Sequence, residues 1–219
     1  MINILSLIIK KNSPCRALQI IETKNFELRG DCLEIGNFFL NKKSFFNFFK
    51  FKNKNTLYFS DIKKNFKKKN YFYFDLEKKN NLKKKFDNII IFNVLEHVYD
   101  VENGIEEIKK ILKNNGQIII STPFIYRYHH APLDFNRPTL DFYFKVAKKF
   151  NLKIIFKKNL GTGPFLASYS LIHNLLIKIY PLNLLVLIVS IIFDSILNLF
   201  SKKLKNYYPI CNFVVFKKK

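Results

Sequence analysis

Arginine is nearly missing. Only Arg16, Arg29, Arg127 and Arg137 are present among 38 cationic residues, so 38 − 4 = 34 are lysines. Nucleic-acid recognition leans on arginine for bidentate contacts. The formal net charge of +22 therefore loses its usual implication of a nucleic-acid partner, and none is expected. Tryptophan is absent altogether, while Lys, Asn, Ile and Phe dominate throughout. All four have A/T-rich codons, so genome bias accounts for much of the lysine excess.

Cysteine is also scarce. Cys15, Cys32 and Cys211 are widely spaced, with no CxxC and no Cys/His pairing at zinc spacing. That excludes a disulfide framework and gives no reason to expect a metal site; a reduced cytosolic compartment is the natural reading. The start of the chain has a short apolar run followed by Lys10 and Lys11. A signal peptide places charge first and a small-residue cleavage site last, so no secretion is expected. Internal repeats are lacking too.

What is present suits one domain over residues 1–219, with 48% apolar residues to build a core. Short β-prone runs end in polar residues: 32–35 at Gly36, 56–60 at Asp61, 71–74 at Asp75. An apolar run follows at 88–92. Residues 38–50 are Phe-rich and read as a helix packed by its aromatic face. Val101, Ile105, Ile108, Ile111 and Leu112 have a helical period over 101–113, stopped by Asn115-Gly116. Strands are expected at 117–121, 153–156 and 210–216, and a helix at 141–150. Strands alternating with helices point to an α/β sheet, parallel or mixed.

In open α/β sheets, ligands bind beyond the carboxyl ends of the strands. A glycine there lets the backbone approach a ligand. An acidic residue about 20 positions further on can accept both ribose hydroxyls; Asp61 lies 61 − 36 = 25 positions beyond Gly36. A third acidic residue can accept from an adenine amino group. Taken singly, each strand end reads as an ordinary turn; order and spacing make the case.

Together with the run from Phe86 to His97 (FDNIIIFNVLEH), these positions resemble the class I S-adenosylmethionine-dependent methyltransferases, from about Asp31 to Phe156. The resemblance implies a Rossmann-like three-layer sandwich with a mostly parallel seven-stranded sheet closed by an antiparallel strand at 210–216. It implies S-adenosylmethionine as cofactor. Glu34, Gly36 and Asn37 would form the first cofactor loop, Asp61 would bind ribose, Asp75 and Leu76 would flank adenine, and Asn93 would lie beside the methionine part. Glu96 and His97 would hold their loop together. The family's first loop usually has a second glycine where this chain has Phe38. That departure motivates an alternative: a non-catalytic, membrane-associated binding protein on a decayed methyltransferase fold.

Residues 122–139 contain no lysine, yet hold two of the four arginines and two of the four histidines. Read alone, this is either a proline-stiffened structural loop or an acceptor site. Methyl transfer to a hydroxyl needs an aligned nucleophile and a proton acceptor. His129 or His130 suits that role, Asp134 would orient it or bind a sugar hydroxyl, and Arg127 and Arg137 would hold an anionic group. The pattern P-F-x-Y-x-x-H-x-x-P-x-D-F-x-R-x-T resembles a branch of the family associated with cell-surface glycan biosynthesis. The resemblance implies O-methylation of a sugar or glycolipid hydroxyl.

From Leu171 to Phe200 only Lys178 and Asp194 are charged. An apolar helical insertion is expected over 168–206. Leu182 to Phe200 spans 19 residues, near the length that crosses a bilayer. A spanning helix, a soluble helical pair and an interfacial hairpin all remain open. Lys202, Lys203 and Lys205 favour the hairpin, and a spanning helix would separate the last strand from its sheet. Peripheral contact through 171–200 at the inner face of the cytoplasmic membrane is the expectation.

Overall fold

Two short helices, α1 (Ile4–Ile9) and α2 (Pro14–Thr23), lead into β1 (Glu27–Leu28) and β2 (Asp31–Ile35). A 3₁₀ turn at Phe45–Phe48 precedes β3 (Lys50–Phe51), β4 (Thr56–Asp61), β5 (Tyr71–Tyr73) and β6 (Phe86–Phe92). A second 3₁₀ turn, Leu95–His97, leads to α3 (Val101–Lys110), β7 (Leu112–Pro123), α4 (Leu140–Lys149) and β8 (Leu152–Leu160). Three helices follow, α5 (Pro164–Leu176), α6 (Tyr180–Phe200) and α7 (Leu204–Tyr207), before β9 (Cys211–Lys218). This computed structural model describes residues 4–37, 44–52, 55–63, 70–130, 133–201 and 203–219. Phe38 and Lys202, singled out from the sequence, lie outside the described residues.

The seven-stranded sheet is mixed, in the order β5-β4-β2-β6-β7-β9-β8. The pairings from β5 through β7 are parallel, and β9 runs antiparallel between β7 and β8. From β2 the chain steps outward to β4 and β5, then returns to β6 on the other side of β2. Side chains of β6 alternate between two cores: Ile90 and Phe92 join α1, α2 and α5, whereas Ile89 and Ile91 join α3 and α4. Both faces are covered, which is why the strand reads as an unbroken apolar run. Each of these buried isoleucines contributes about 1.5–3 kcal/mol of burial.

Three local expectations change. The described part of 38–50 is not an α-helix but one 3₁₀ turn capped by Ser44. Phe45, Phe46 and Phe49 all enter one core, and Lys50 then pairs with β1 in a separate two-stranded sheet. Tertiary pairing overrides the helix there. The helix expected over 101–113 ends at Lys110, because Leu112 already pairs with Phe86 in the sheet. The strand expected at 117–121 accordingly begins at Leu112.

Helix α6 is inverted. Its buried stripe is Asn183, Leu187, Ser190 and Asp194, at helical spacing. Leu185, Ile192, Phe193, Ile196, Leu199 and Phe200 are among its outward-facing residues. The polar stripe is satisfied inside. Tyr169 Oη donates to Asn183 Oδ1 at 2.8 Å, and Ser190 Oγ donates to its own helix. By length and composition α6 could cross a membrane, with a mean hydropathy of 2.2 and 22% of the window buried.

Candidate functional site

The strand order reverses between β2 and β6, and in open α/β sheets the ligand crevice lies at that switch point, outside the carboxyl ends. Gly36 and Asn37 follow β2, Asp61 ends β4, Asp75 and Leu76 follow β5, and Asn93 follows β6. The expected cofactor residues therefore share one sheet edge, on four neighbouring strands.

Their states differ. Gly36 has φ +81°, and a Cβ there would lie 2.3 Å from Val94 Cγ2. The turn after β2 is thus pressed onto the turn after β6, and only glycine fits both the conformation and the space. Gly36 N and Asn37 N both donate to Ser60 O, at 2.8 and 3.2 Å. Asp61 is half-buried, and Oδ1 accepts from Lys63 N at 3.2 Å. Asp75 accepts from Glu77 N and from Tyr73 Oη, and pairs with Lys78 at 2.9 Å. Burial pushes its pKa upward, but Lys78 and Glu77 N outweigh that and hold it below the ordinary value. Leu76 is buried against Gly104 at the start of α3.

Glu34 and Asn93 are used inside the protein. The buried Glu34 carboxylate accepts from Ser44 Oγ at 2.5 Å and Phe45 N at 3.0 Å, so it ties β2 to the 3₁₀ turn. Burial raises its pKa, against those hydrogen bonds and nearby Arg16. Asn93, at φ +56°, exchanges both amide hydrogen bonds with Gln19 of α2, at 2.8 and 3.0 Å. Gln19 also donates to Ser121 Oγ. Gln19, Arg16 and Ser44 were not singled out from the sequence. Nothing local marks them, since Gln19 meets a partner 74 positions away.

The second group of residues lies between the 95–97 turn and the 126–139 loop. Phe135 N and Asn136 N donate to Glu96 O, and the His97 ring bonds Leu133 O through Nδ1. Arg137 grips Asp134 with both terminal nitrogens, Nη2 to Oδ2 at 2.7 Å, and also donates to Asn136 O. Asp134 further accepts from His129 N at 2.9 Å. Arg137 foremost holds the Asp134 carboxyl far below its usual range. The pair fixes the loop beside His129.

His129 is half-buried between the rings of His97 and Tyr126, with centroids at 4.9 and 5.2 Å. Its Nδ1 lies 3.4 Å from Asp134 Oδ2. Burial, then His97, lowers its pKa. His130 is exposed against Tyr128. Arg127 is exposed over α5, where Asn174, with its amide oxygen turned toward the guanidinium, accepts from Nη2 at 3.0 Å. Ser170 of α5 also donates to Ile125 O at 3.2 Å, so the loop is fastened to the apolar helices. A cleft of about 360 Å³ opens beside Arg137, walled by Tyr99, Glu102, Thr139 and Phe142. It lies between the starts of α3 and α4 rather than at the β2/β6 switch point.

Glu96 stands apart. Its side chain is 0% exposed, neither carboxylate oxygen has a hydrogen bond, and burial pushes its pKa up to about 8.

A family model described as a methyltransferase domain matches residues 13–152. No curated protein sequence matches the chain. Among solved structures, a protein from Galdieria sulphuraria assigned as a sarcosine dimethylglycine methyltransferase is 14% identical. Its TM-score is 0.54, over 93% of this chain and 82% of that one. An S-adenosylmethionine-dependent methyltransferase from Mesorhizobium loti is 12% identical, with TM-score 0.53 over 93% and 96%. Phosphoethanolamine N-methyltransferase 2 of Haemonchus contortus, solved with S-adenosyl-L-methionine, is 15% identical. Its TM-score is 0.51, over 92% of this chain and 51% of that one. At these identities the likeness is one of fold.

Proposed function

Given that the chain belongs to the methyltransferase-domain family, we propose that it methylates a hydroxyl of a sugar or glycolipid at the inner face of the cytoplasmic membrane. S-adenosylmethionine supplies an electrophilic methyl on its sulfonium. The residues at the β2/β4/β5 edge fit that cofactor chemically. The turn at Gly36 carries no side chain, and Asp61 and Asp75 put two carboxylates on adjacent strand ends for the ribose diol and the adenine amine. Glu34 positions the first loop through Ser44 and Phe45. Gln19 keeps the Asn93 side chain turned toward α2.

The acceptor hydroxyl must lose a proton as its oxygen attacks, and an imidazole is the ordinary group for that near neutrality. His129 and His130 are the adjacent candidates, the first held by the Asp134 lock and the second open. Arg127 is the exposed cation for a phosphate or carboxylate on the acceptor.

Inverted α6 is the observation that carries the membrane and lipid part of this reading. A soluble helix buries its apolar face; this one buries Asn183, Ser190 and Asp194 with a single leucine, Leu187, and turns Leu185, Ile192, Phe193, Ile196, Leu199 and Phe200 outward. Such a face, flanked by Lys178, Lys203 and Lys205, suits an anionic lipid surface. Ser170 and Asn174 of α5 then hold the acceptor loop at that surface, where a lipid-linked saccharide would present itself.

The test is methyl transfer from labelled cofactor to extracted lipid-linked saccharides. The parent should label them and the His129/His130 double alanine variant should not. Transfer to an amine or a protein, with none to saccharide, would remove the glycan assignment.

A further inference from the structure

A buried carboxyl group without a hydrogen bond needs an explanation. Both oxygens of Glu96 are in that condition, as is Nδ1 of His129. His97 Nε2 lies 3.8 Å from Glu96 Oε1. One ligand-capable atom from each of Glu96, His97 and His129 lies within 4.8 Å of the others. We propose that these three residues form a binding site for a divalent transition metal ion, zinc being the ion the donor set suits best.

Two imidazoles and one carboxylate are borderline donors that favour zinc, cobalt or iron(II) over the all-oxygen sites of magnesium and calcium. His97 is already oriented as a ligand. Its Nδ1 faces the Leu133 carbonyl, which can only accept, so Nδ1 carries the hydrogen and the lone pair of Nε2 faces Glu96. A backbone carbonyl on the far nitrogen is the usual outer support of a metal-bound histidine. Asp134, fixed by Arg137, holds His129 from behind through its backbone N–H.

Bonds of about 2.0–2.1 Å around a tetrahedral ion put ligand atoms about 3.3 Å apart. The separations here, 3.8 Å between His97 Nε2 and Glu96 Oε1 and within 4.8 Å across the three residues, lie about 0.5–1.5 Å outside that spacing. The two histidines are partly open to solvent while Glu96 is sealed, so an ion would enter from the histidine side. Three protein ligands leave a fourth position for water or an acceptor oxygen, the arrangement of catalytic rather than structural zinc.

With an ion in place His129 is a ligand and His130 alone remains as the imidazole for the proton. Only this assignment touches the proposed function; metal binding itself does not depend on which acceptor is methylated. The experiment uses the full chain stripped by chelator, then titrated with zinc by calorimetry and with cobalt by visible absorption. One ion per chain is expected, with a cobalt ligand-field band, and no comparable binding of magnesium. Glu96→Gln and His129→Ala should each weaken zinc binding at least 100-fold, while His130→Ala leaves it unchanged. S-adenosylhomocysteine binding, measured alongside, reports the fold and the methyltransferase site separately. If the parent shows no cobalt band, or if either ligand variant holds zinc as tightly as the parent, the site is refuted. Should the variants unfold, the parent decides. Zinc must then protect His97 and His129, but not His130, from histidine-directed carbethoxylation; equal modification of all three overturns the proposal.

Discussion

The Asp194 carboxylate of α6 accepts a hydrogen bond from the backbone N–H of Leu166, at 3.0 Å and 28 positions away. It also accepts from Phe165 N at 2.9 Å and from Thr162 Oγ1 at 2.5 Å. The first N–H groups of any helix lack partners within it, and here a residue from another helix supplies them. The negative charge also sits at the positive end of α5. Gly163 makes room, since a Cβ there would lie 2.5 Å from Asp194 Oδ1. The one acidic residue in the apolar stretch is therefore a cap, and it docks α6 on α5 with the apolar face outward.

Removing this cap should loosen the helical pair. Asp194→Ala leaves two backbone donors and one hydroxyl without a partner in a buried place, at a cost of about 3 kcal/mol or more. The melting temperature should fall by about 6–12 °C, and by less in Asp194→Asn. An unchanged melting curve in Asp194→Ala would contradict the capping role.

The cofactor edge has its own test. Asp61→Ala should weaken S-adenosylhomocysteine binding by about 1.5–3 kcal/mol if the carboxylate holds the ribose diol. Calorimetry on parent and variant measures it directly. Equal affinity would place the ribose elsewhere.

Gly36 links the two loops that meet at the switch point. Gly36→Ala forces an L residue toward the left-handed region, at about 1–2 kcal/mol, and drives its methyl into Val94. Adding Val94→Ala should recover the steric part and leave the backbone part. Chemical denaturation of both variants separates the two, and no recovery would mean that Val94 is not what the methyl meets.

Acid should destabilise the α5–α6 pair through His173. The ring is buried, its Nδ1 hydrogen-bonds Tyr169 Oη at 2.8 Å, and Asn183 shares that hydroxyl. Burial lowers its pKa from the ordinary value near 6.5. A depressed folded pKa means the unfolded chain takes the proton first. Stability is then complete above about pH 6.5 and declines as pH falls toward the folded value. In His173→Gln the stability-against-pH curve should be flatter below about pH 6.5; equal slopes would exclude this histidine.

Membrane association should depend on the outer face of α6. Leu185→Ser, Ile192→Ser and Leu199→Ser together remove apolar burial of about 1.5 kcal/mol or more per residue. Sedimentation with anionic vesicles should drop more than tenfold, with the melting temperature little changed because all three side chains face outward. Binding that survives the triple variant would assign the surface to something other than lipid.

The chain alone determined the alternation of strands and helices, because apolar periodicity and turn residues are local properties. It also placed Gly36, Asp61 and Asp75 at strand ends, and the structure sets them on one edge. What each side chain does there depended on neighbours distant in sequence. Glu34 bonds Ser44 and Phe45, Asn93 bonds Gln19, and Arg137 bonds Asp134. No spacing rule marks a carboxylate as already paired. The aromatic stretch around Phe45 gave up its helix because burying three rings in one core and pairing with β1 outweighed local propensity. Composition showed that 171–200 is apolar, but only packing settled which way it faces. Asp194 and Asn183 find their partners on α5 and its N-terminal turn, so the polar stripe turns inward and the apolar one outward.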